Sequence, residues 1–133
     1  MISFGPTEEQ ELIRDTVREF ALAEMRNIAR DADEASALPE DFLQKSWELG
    51  LVNATIPEEY GGGGMERSPV TNVIVQEELG YGCASLASAA LAPSLFINPL
   101  LDFGTEEQKQ RYLPMFESSE FVAATMALQE SSF

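Results

Sequence analysis

The chain contains no histidine. That absence excludes Ser-His and Cys-His catalysis and histidine-ligated metal sites within it. Cysteine occurs once, as Cys83, so no internal disulfide can form. A single thiol suits a reducing compartment, and the expected location is the cytoplasm. Basic residues are scarce: 8 Lys+Arg stand against 23 Asp+Glu, for a net charge of −15. Such a field repels nucleic-acid phosphates and anionic membrane surfaces, so neither is expected as a partner. It also disfavours anionic cofactors, and a phosphate-bearing ligand would need local dipoles or protein beyond this chain. The first residues, Met1 to Pro6, lack the basic and apolar regions of a signal peptide.

What is present is the composition of one globular domain. Of 133 residues, 44% are hydrophobic and 23% charged, which suits a single core. From Gly82 to Leu101 no residue is charged, a length that could cross a bilayer. Pro93, Asn98, Pro99 and several serines interrupt it, and no basic cluster flanks it. A buried central helix is therefore expected, not a membrane span.

Local signals divide the chain into helices. Thr7-Glu8-Glu9-Gln10 has capping-box spacing, with a hydroxyl at the cap and an amide side chain three residues later. Ile13, Val17, Ala21 and Met25 follow at four-residue steps, beside Leu12 and Phe20, and this stripe fades near Asn27 to Arg30. Pro39 predicts the first position of a second helix, with Phe42, Leu43, Ser46 and Trp47 on one face and Gly50 closing it. Gly61 to Gly64 predict a flexible corner. No Lys-Ser or Lys-Thr follows them and no strand leads in, so a phosphate loop is poorly supported. Ser68-Pro69 starts a third helix, which Gly80-Tyr81-Gly82 should break. The small-residue segment from Cys83 to Phe103 reads as a core helix kinked at Pro93 and Pro99. Thr105-Glu106-Glu107-Gln108 repeats the capping box before a short amphipathic helix through Leu113.

Phe121 to Leu128 reads as a strand. One strand cannot make a sheet, so its partners are expected outside this sequence or in another chain. The expected fold is all-α: a bundle of five to six helices with one orphan C-terminal strand.

Taken in order, these segments resemble the acyl-CoA dehydrogenase family over nearly the whole chain. The resemblance is carried by Thr7-Glu8-Glu9-Gln10 with Ile13-Arg14, and by Gly50-Leu51 with Pro57-Glu58-Glu59-Tyr60-Gly61-Gly62. Glu77-Glu78-Leu79-Gly80 adds to it. Gly104-Thr105-Glu106-Glu107-Gln108-Lys109 with Tyr112-Leu113-Pro114 is the most specific match. The resemblance implies that residues 1–120 form an N-terminal helical domain, and that residues 121–133 are the first strand of a middle β-barrel domain beyond this chain. It implies α,β-dehydrogenation of an acyl-CoA thioester by an FAD-dependent parent protein, with FAD absent from the isolated chain, which would be inactive. Electrons would pass to an electron-transfer flavoprotein or similar acceptor, and the parent would be a homo- or hetero-oligomer.

No residue here corresponds to the family's base glutamate, and the solvated-face reading is preferred for Glu77 and Glu78; Glu130 is a third carboxylate. The resemblance assigns Leu86, Ala87, Ala90, Leu91 and Leu95 to the acyl-chain cavity, with ordinary core packing an equal reading. Small Ala87 and Ala90 favour an apolar tail. Met126, Leu128 and Gln129 fall on the strand end that meets the flavin. There Met126 replaces the family's aromatic, Gln129 its threonine and Ser131 its proline, while backbone donors near Leu128 and Gln129 remain. Those departures keep two other readings open: a non-catalytic subunit with a degenerate flavin site, and an acyl-CoA oxidase on the same fold. Phe121, Met126 and Phe133 should leave apolar surface through which the isolated chain self-associates.

Overall fold

Thr7 caps the first helix as its spacing predicts. The computed structural model of the chain describes residues 5–39 and 41–129. In it the Thr7 hydroxyl accepts from the Gln10 amide at 3.2 Å, and the Gln10 side chain accepts from the Thr7 N–H at 3.0 Å. Donors at the helix start that lack an intrahelical partner are thereby satisfied. Helix α1 covers Glu8–Phe20 and runs into a π-helical turn, Ala21–Met25. Val17, Ala21 and Met25 of the predicted stripe are buried. The chain does not stay irregular where the stripe fades: α2 spans Ala29–Ala35.

Helix α3, Phe42–Glu48, begins three residues later than Pro39 suggested. It ends as expected, with Gly50 at φ 69° donating to the Trp47 carbonyl at 2.9 Å. Helix α4 spans Pro69–Leu91, and the Ser68 hydroxyl accepts from the Thr71 amide at 3.3 Å. Its expected break at Gly80 to Gly82 does not occur there. The backbone stays helical through Gly82 and breaks at Cys83, with φ −168° and ψ 120°. Gly82 serves another purpose: a Cβ there would lie 3.0 Å from both the Ala21 and Met25 Cβ atoms. Its missing side chain lets α4 approach the π turn. Helix α5, Ser94–Phe103, contains Pro99, and α6, Glu106–Tyr112, opens on the second predicted capping box. A 3-10 turn, Leu113–Glu117, follows.

The described chain is thus all-α, with six α-helices and no strand among the described residues. Phe121 to Gln129 have no regular structure. A lone strand has no ladder to join, which is why the strand-like sequence forms none here. No single helix among the described residues is long and apolar enough to cross a membrane.

Two compact units divide the chain. One takes in the chain through Phe42 together with Arg67–Ala89. Its buried side chains include Val17, Met25, Phe42 and Leu79, and the rings of Phe20 and Phe42 lie 6.4 Å apart. The other takes in Leu43–Glu66 and the chain from Ala90 onward. Its core is Trp47, Val52, Ile56, Tyr60, Ile97, Leu113 and Phe116.

The glycine run belongs to the second unit and is not the loose corner its composition suggests. The amides of Gly61, Gly62, Gly63, Gly64 and Met65 donate to the carbonyls of Glu58, Pro57, Asn53, Ile56 and Ala54 at 2.9–3.3 Å. Gly61 and Gly64 take φ of 84° and 66°. A Cβ on Gly62 would sit 2.2 Å from the Ile56 oxygen. Every one of these amides is spent within the loop, so none is left to cradle a phosphate.

Gly62→Ala should therefore cost about 1–3 kcal/mol, as overpacking does. Gly80→Ala meets nothing within 4 Å and should gain about 0.5–1 kcal/mol inside a helix. Urea unfolding measures both; midpoints that move in the same direction would contradict this packing.

Candidate functional site

Helix α3 holds the chain where it leaves the helices. The Gln44 amide nitrogen donates to the Ser119 carbonyl at 2.9 Å, and its oxygen accepts from the Phe121 N–H at 2.9 Å. The Trp47 indole N–H donates to the Ser118 carbonyl at 2.8 Å. Its ring meets Phe121 edge-on at 5.7 Å and Phe116 at 6.5 Å. Residues three apart share a helix face, so Gln44 and Trp47 act on one stretch of chain. Phe121, Val122 and Ala124 pack against the second core.

Past that anchor the contacts stop. Met126 and Gln129 are exposed, and Leu128 is 86% exposed. Among the described residues, no hydrogen bond is made by the backbone of Val122 to Gln129. The three residues expected at the flavin thus share one run whose backbone donors and acceptors are unbonded among the described residues. Glu130, Ser131 and Phe133 lie outside the described residues.

The residues expected along an acyl chain are placed as follows. Leu86 and Ala87 are buried in the first unit. Leu86 lines a groove of about 650 Å³ whose wall mixes apolar Ala29, Ala32 and Leu38 with Arg30, Asp33 and Ser36. Ala90 is buried and Leu91 half-buried in the second unit. Leu95, beyond the break at Ala92 and Pro93, is 50% exposed.

Glu77 is exposed, as expected, but Glu78 is not. Glu78 is only 5% exposed and takes a two-pronged grip from Arg18, Nε to Oε2 and Nη2 to Oε1, both at 2.8 Å. The solvated-face reading fails there because paired, charge-assisted bonds offset burial of the carboxylate. The hydrogen bond and charge of Glu78 in turn raise the Arg18 pKa. Glu78 is therefore engaged in holding α1 to α4.

Tyr60 forms another polar pair, its buried hydroxyl donating to the Glu106 carboxylate. That bond, then burial, then the carboxylate charge push the phenol up to about 12.

Residues 7–120 match the family described as "Acyl-CoA dehydrogenase, N-terminal domain", and the chain belongs to that family. A probable acyl-CoA dehydrogenase of Bacillus subtilis is 40% identical over 113 residues, which is 84% of this chain and 29% of the relative. The mitochondrial short-chain specific acyl-CoA dehydrogenase of Bos taurus is 36% identical over 124 residues, 92% of this chain and 29% of its own length. Among solved structures, butyryl-CoA dehydrogenase from Megasphaera elsdenii is similar with a TM-score of 0.73 and 27% identity, over 87% of this chain and 31% of that one. The chain thus spans less than a third of the length of each of these relatives.

Two outcomes follow from the polar pairs. Arg18→Met strands a buried carboxylate, so it should lower the urea midpoint more than the double change Arg18→Met with Glu78→Leu, which removes both charges. A double variant less stable than Arg18→Met would refute this. For Tyr60, a folded pKa above the ordinary 10 means that the folded state holds its proton longer. Its contribution is complete below pH 10 and is lost as pH rises through about 12. Tyr60→Phe should flatten the fall in stability between those values; an unchanged slope would remove Tyr60 from the account.

Proposed function

We propose that this chain is the N-terminal domain of an FAD-dependent acyl-CoA dehydrogenase, lining the acyl-chain cavity and supplying part of the flavin site. The observation that carries the reading is the run from Val122 to Gln129, whose backbone makes no hydrogen bond among the described residues and which is anchored at Ser118 to Phe121 by α3. A run with N–H and C=O groups not bonded among the described residues suits the polar edge of a flavin pyrimidine ring, whose recognition by backbone does not require a particular side chain. The strand-forming sequence of Phe121 to Leu128 supports reading residues 121–133 as the first strand of a middle β domain.

The roles of this chain are positional. The N–H groups of Leu128 and Gln129 would bond the pyrimidine edge, the Gln129 amide would stand in for a threonine hydroxyl, and Met126 would take the place of the family's aromatic. Leu86, Ala87, Ala90, Leu91 and Leu95 give an apolar acyl tail a dry wall, and small Ala87 and Ala90 leave it room. Bound FAD supplies the two-electron acceptor for α,β-dehydrogenation of an acyl-CoA, while the base that takes the α-proton comes from outside these residues. The electron acceptor is a flavoprotein carrier. Supporting that, this chain is similar to one in a structure described as an electron transferring flavoprotein of Acidaminococcus fermentans, at TM-score 0.74 and 32% identity over 89% of this chain and 31% of that one. The parent is a homo- or hetero-oligomer, and a reducing cytoplasm suits the lone thiol of Cys83.

A second reading, a non-catalytic subunit with a degenerate flavin site, is favoured by Met126 and Gln129 standing where the family pattern has an aromatic and a threonine. A visible spectrum of the full-length polypeptide carrying this sequence separates the two. A flavin spectrum that bleaches on anaerobic addition of a saturated acyl-CoA is the expected result, with slow recovery in air for a dehydrogenase and fast recovery for an oxidase. A colourless protein that cannot be loaded with FAD would favour the non-catalytic subunit.

A further inference from the structure

The bonds that α3 makes to residues 118–121 are directed at the backbone of one stretch of chain. Trp47 must pair its buried indole N–H and does so on the Ser118 carbonyl, while Gln44, half-buried, is under no such demand. Yet both ends of the Gln44 amide reach one stretch, giving to Ser119 and taking from Phe121, each at 2.9 Å, while its nitrogen also makes a longer bond of 3.4 Å to Glu48 on its own helix. A side-chain amide that gives and takes across alternate residues imitates a neighbouring strand. Trp47 adds a third bond at Ser118, 2.8 Å long, and an edge contact with Phe121. Three points, at Ser118, Ser119 and Phe121, thus set where residues 118–121 lie and in which register they run. From Val122 to Gln129 no further backbone bond among the described residues corrects that register.

We propose that Gln44 and Trp47 are positioning residues for the flavin-binding edge, setting the register in which the backbone of Leu128 and Gln129 meets the cofactor. This rests on the function proposed above. Neither side chain touches the flavin. A segment loosened at its root must be ordered at the moment of binding, and that entropy is subtracted from affinity. The geometry also makes the two contributions separable, because Trp47→Phe keeps a ring against Phe116 and Phe121 and removes only the N–H donor.

The test is FAD affinity, measured by titrating the apoprotein of the full-length polypeptide and following flavin fluorescence, with no substrate present. Gln44→Met keeps volume and loses both hydrogen bonds to residues 119 and 121, so Kd should rise about tenfold. Trp47→Phe loses one and should raise it about threefold. Val17→Ala, a cavity in the first unit at a residue 1% exposed, is the control for general destabilisation: its thermal midpoint should fall while Kd stays within about twofold. Wild-type binding with both α3 variants also within about twofold would overturn the inference and leave the flavin reading standing. A wild type that binds no FAD would overturn both. Weakening by all three variants alike would also overturn it, since lost stability alone would then explain the effect.

Discussion

Trp47 sits where the parts of the second unit meet. Its ring is buried among Val52, Ile56, Tyr60, Ile97, Leu113 and Phe116, and its single polar atom reaches the carbonyl of Ser118. A buried indole with an unpaired N–H would be costly, so the backbone at Ser118 must come to it. That requirement fixes how the 3-10 turn after α6 leaves the core, and it brings Phe121 edge-on to the same ring. Gln44, one helical turn earlier, then has both the Ser119 carbonyl and the Phe121 amide within reach. The contribution proposed for this chain at a flavin site grows from this one buried side chain.

The acidic balance constrains the same outcome. With 23 acids against 8 bases, the chain offers little to a diphosphate. The glycine run cannot make up the difference, because its amides are bonded back to residues 53–58. What the chain can offer a cofactor is neutral backbone at its C-terminal run and apolar side chains on α4 and α5. That division suits a domain that supplies wall and edge while charge and base come from elsewhere.

Much of the fold was legible because its signals are local. Both capping boxes, the Ser68-Pro69 start and the Gly50 stop are decided by residues within four positions of one another. Helix α2 was missed because it buries no residue, so it has no apolar period to read. The break in α4 was expected at its glycines and fell at Cys83, because Gly82 answers a tertiary demand from Ala21 and Met25. The order of the glycine run escaped as well: composition reveals the freedom of those residues, not which carbonyls would claim their amides. The site shows the same limit. Leu86, Ala87 and Ala90 were readable as a buried face, while Arg18 with Glu78 and Gln44 with Phe121 join residues 60 and 77 positions apart. No local pattern marks such pairs.

The claim on which the account rests is that the chain carries a backbone edge pinned at its root and unspent beyond it. Amide hydrogen exchange on the 133-residue chain, read residue by residue, tests this most directly. The Phe121 amide should be protected, and those from Val122 to Gln129 should exchange near the rate of an unstructured peptide. Protection throughout Val122 to Gln129, or a Phe121 amide as fast as its neighbours, would contradict it.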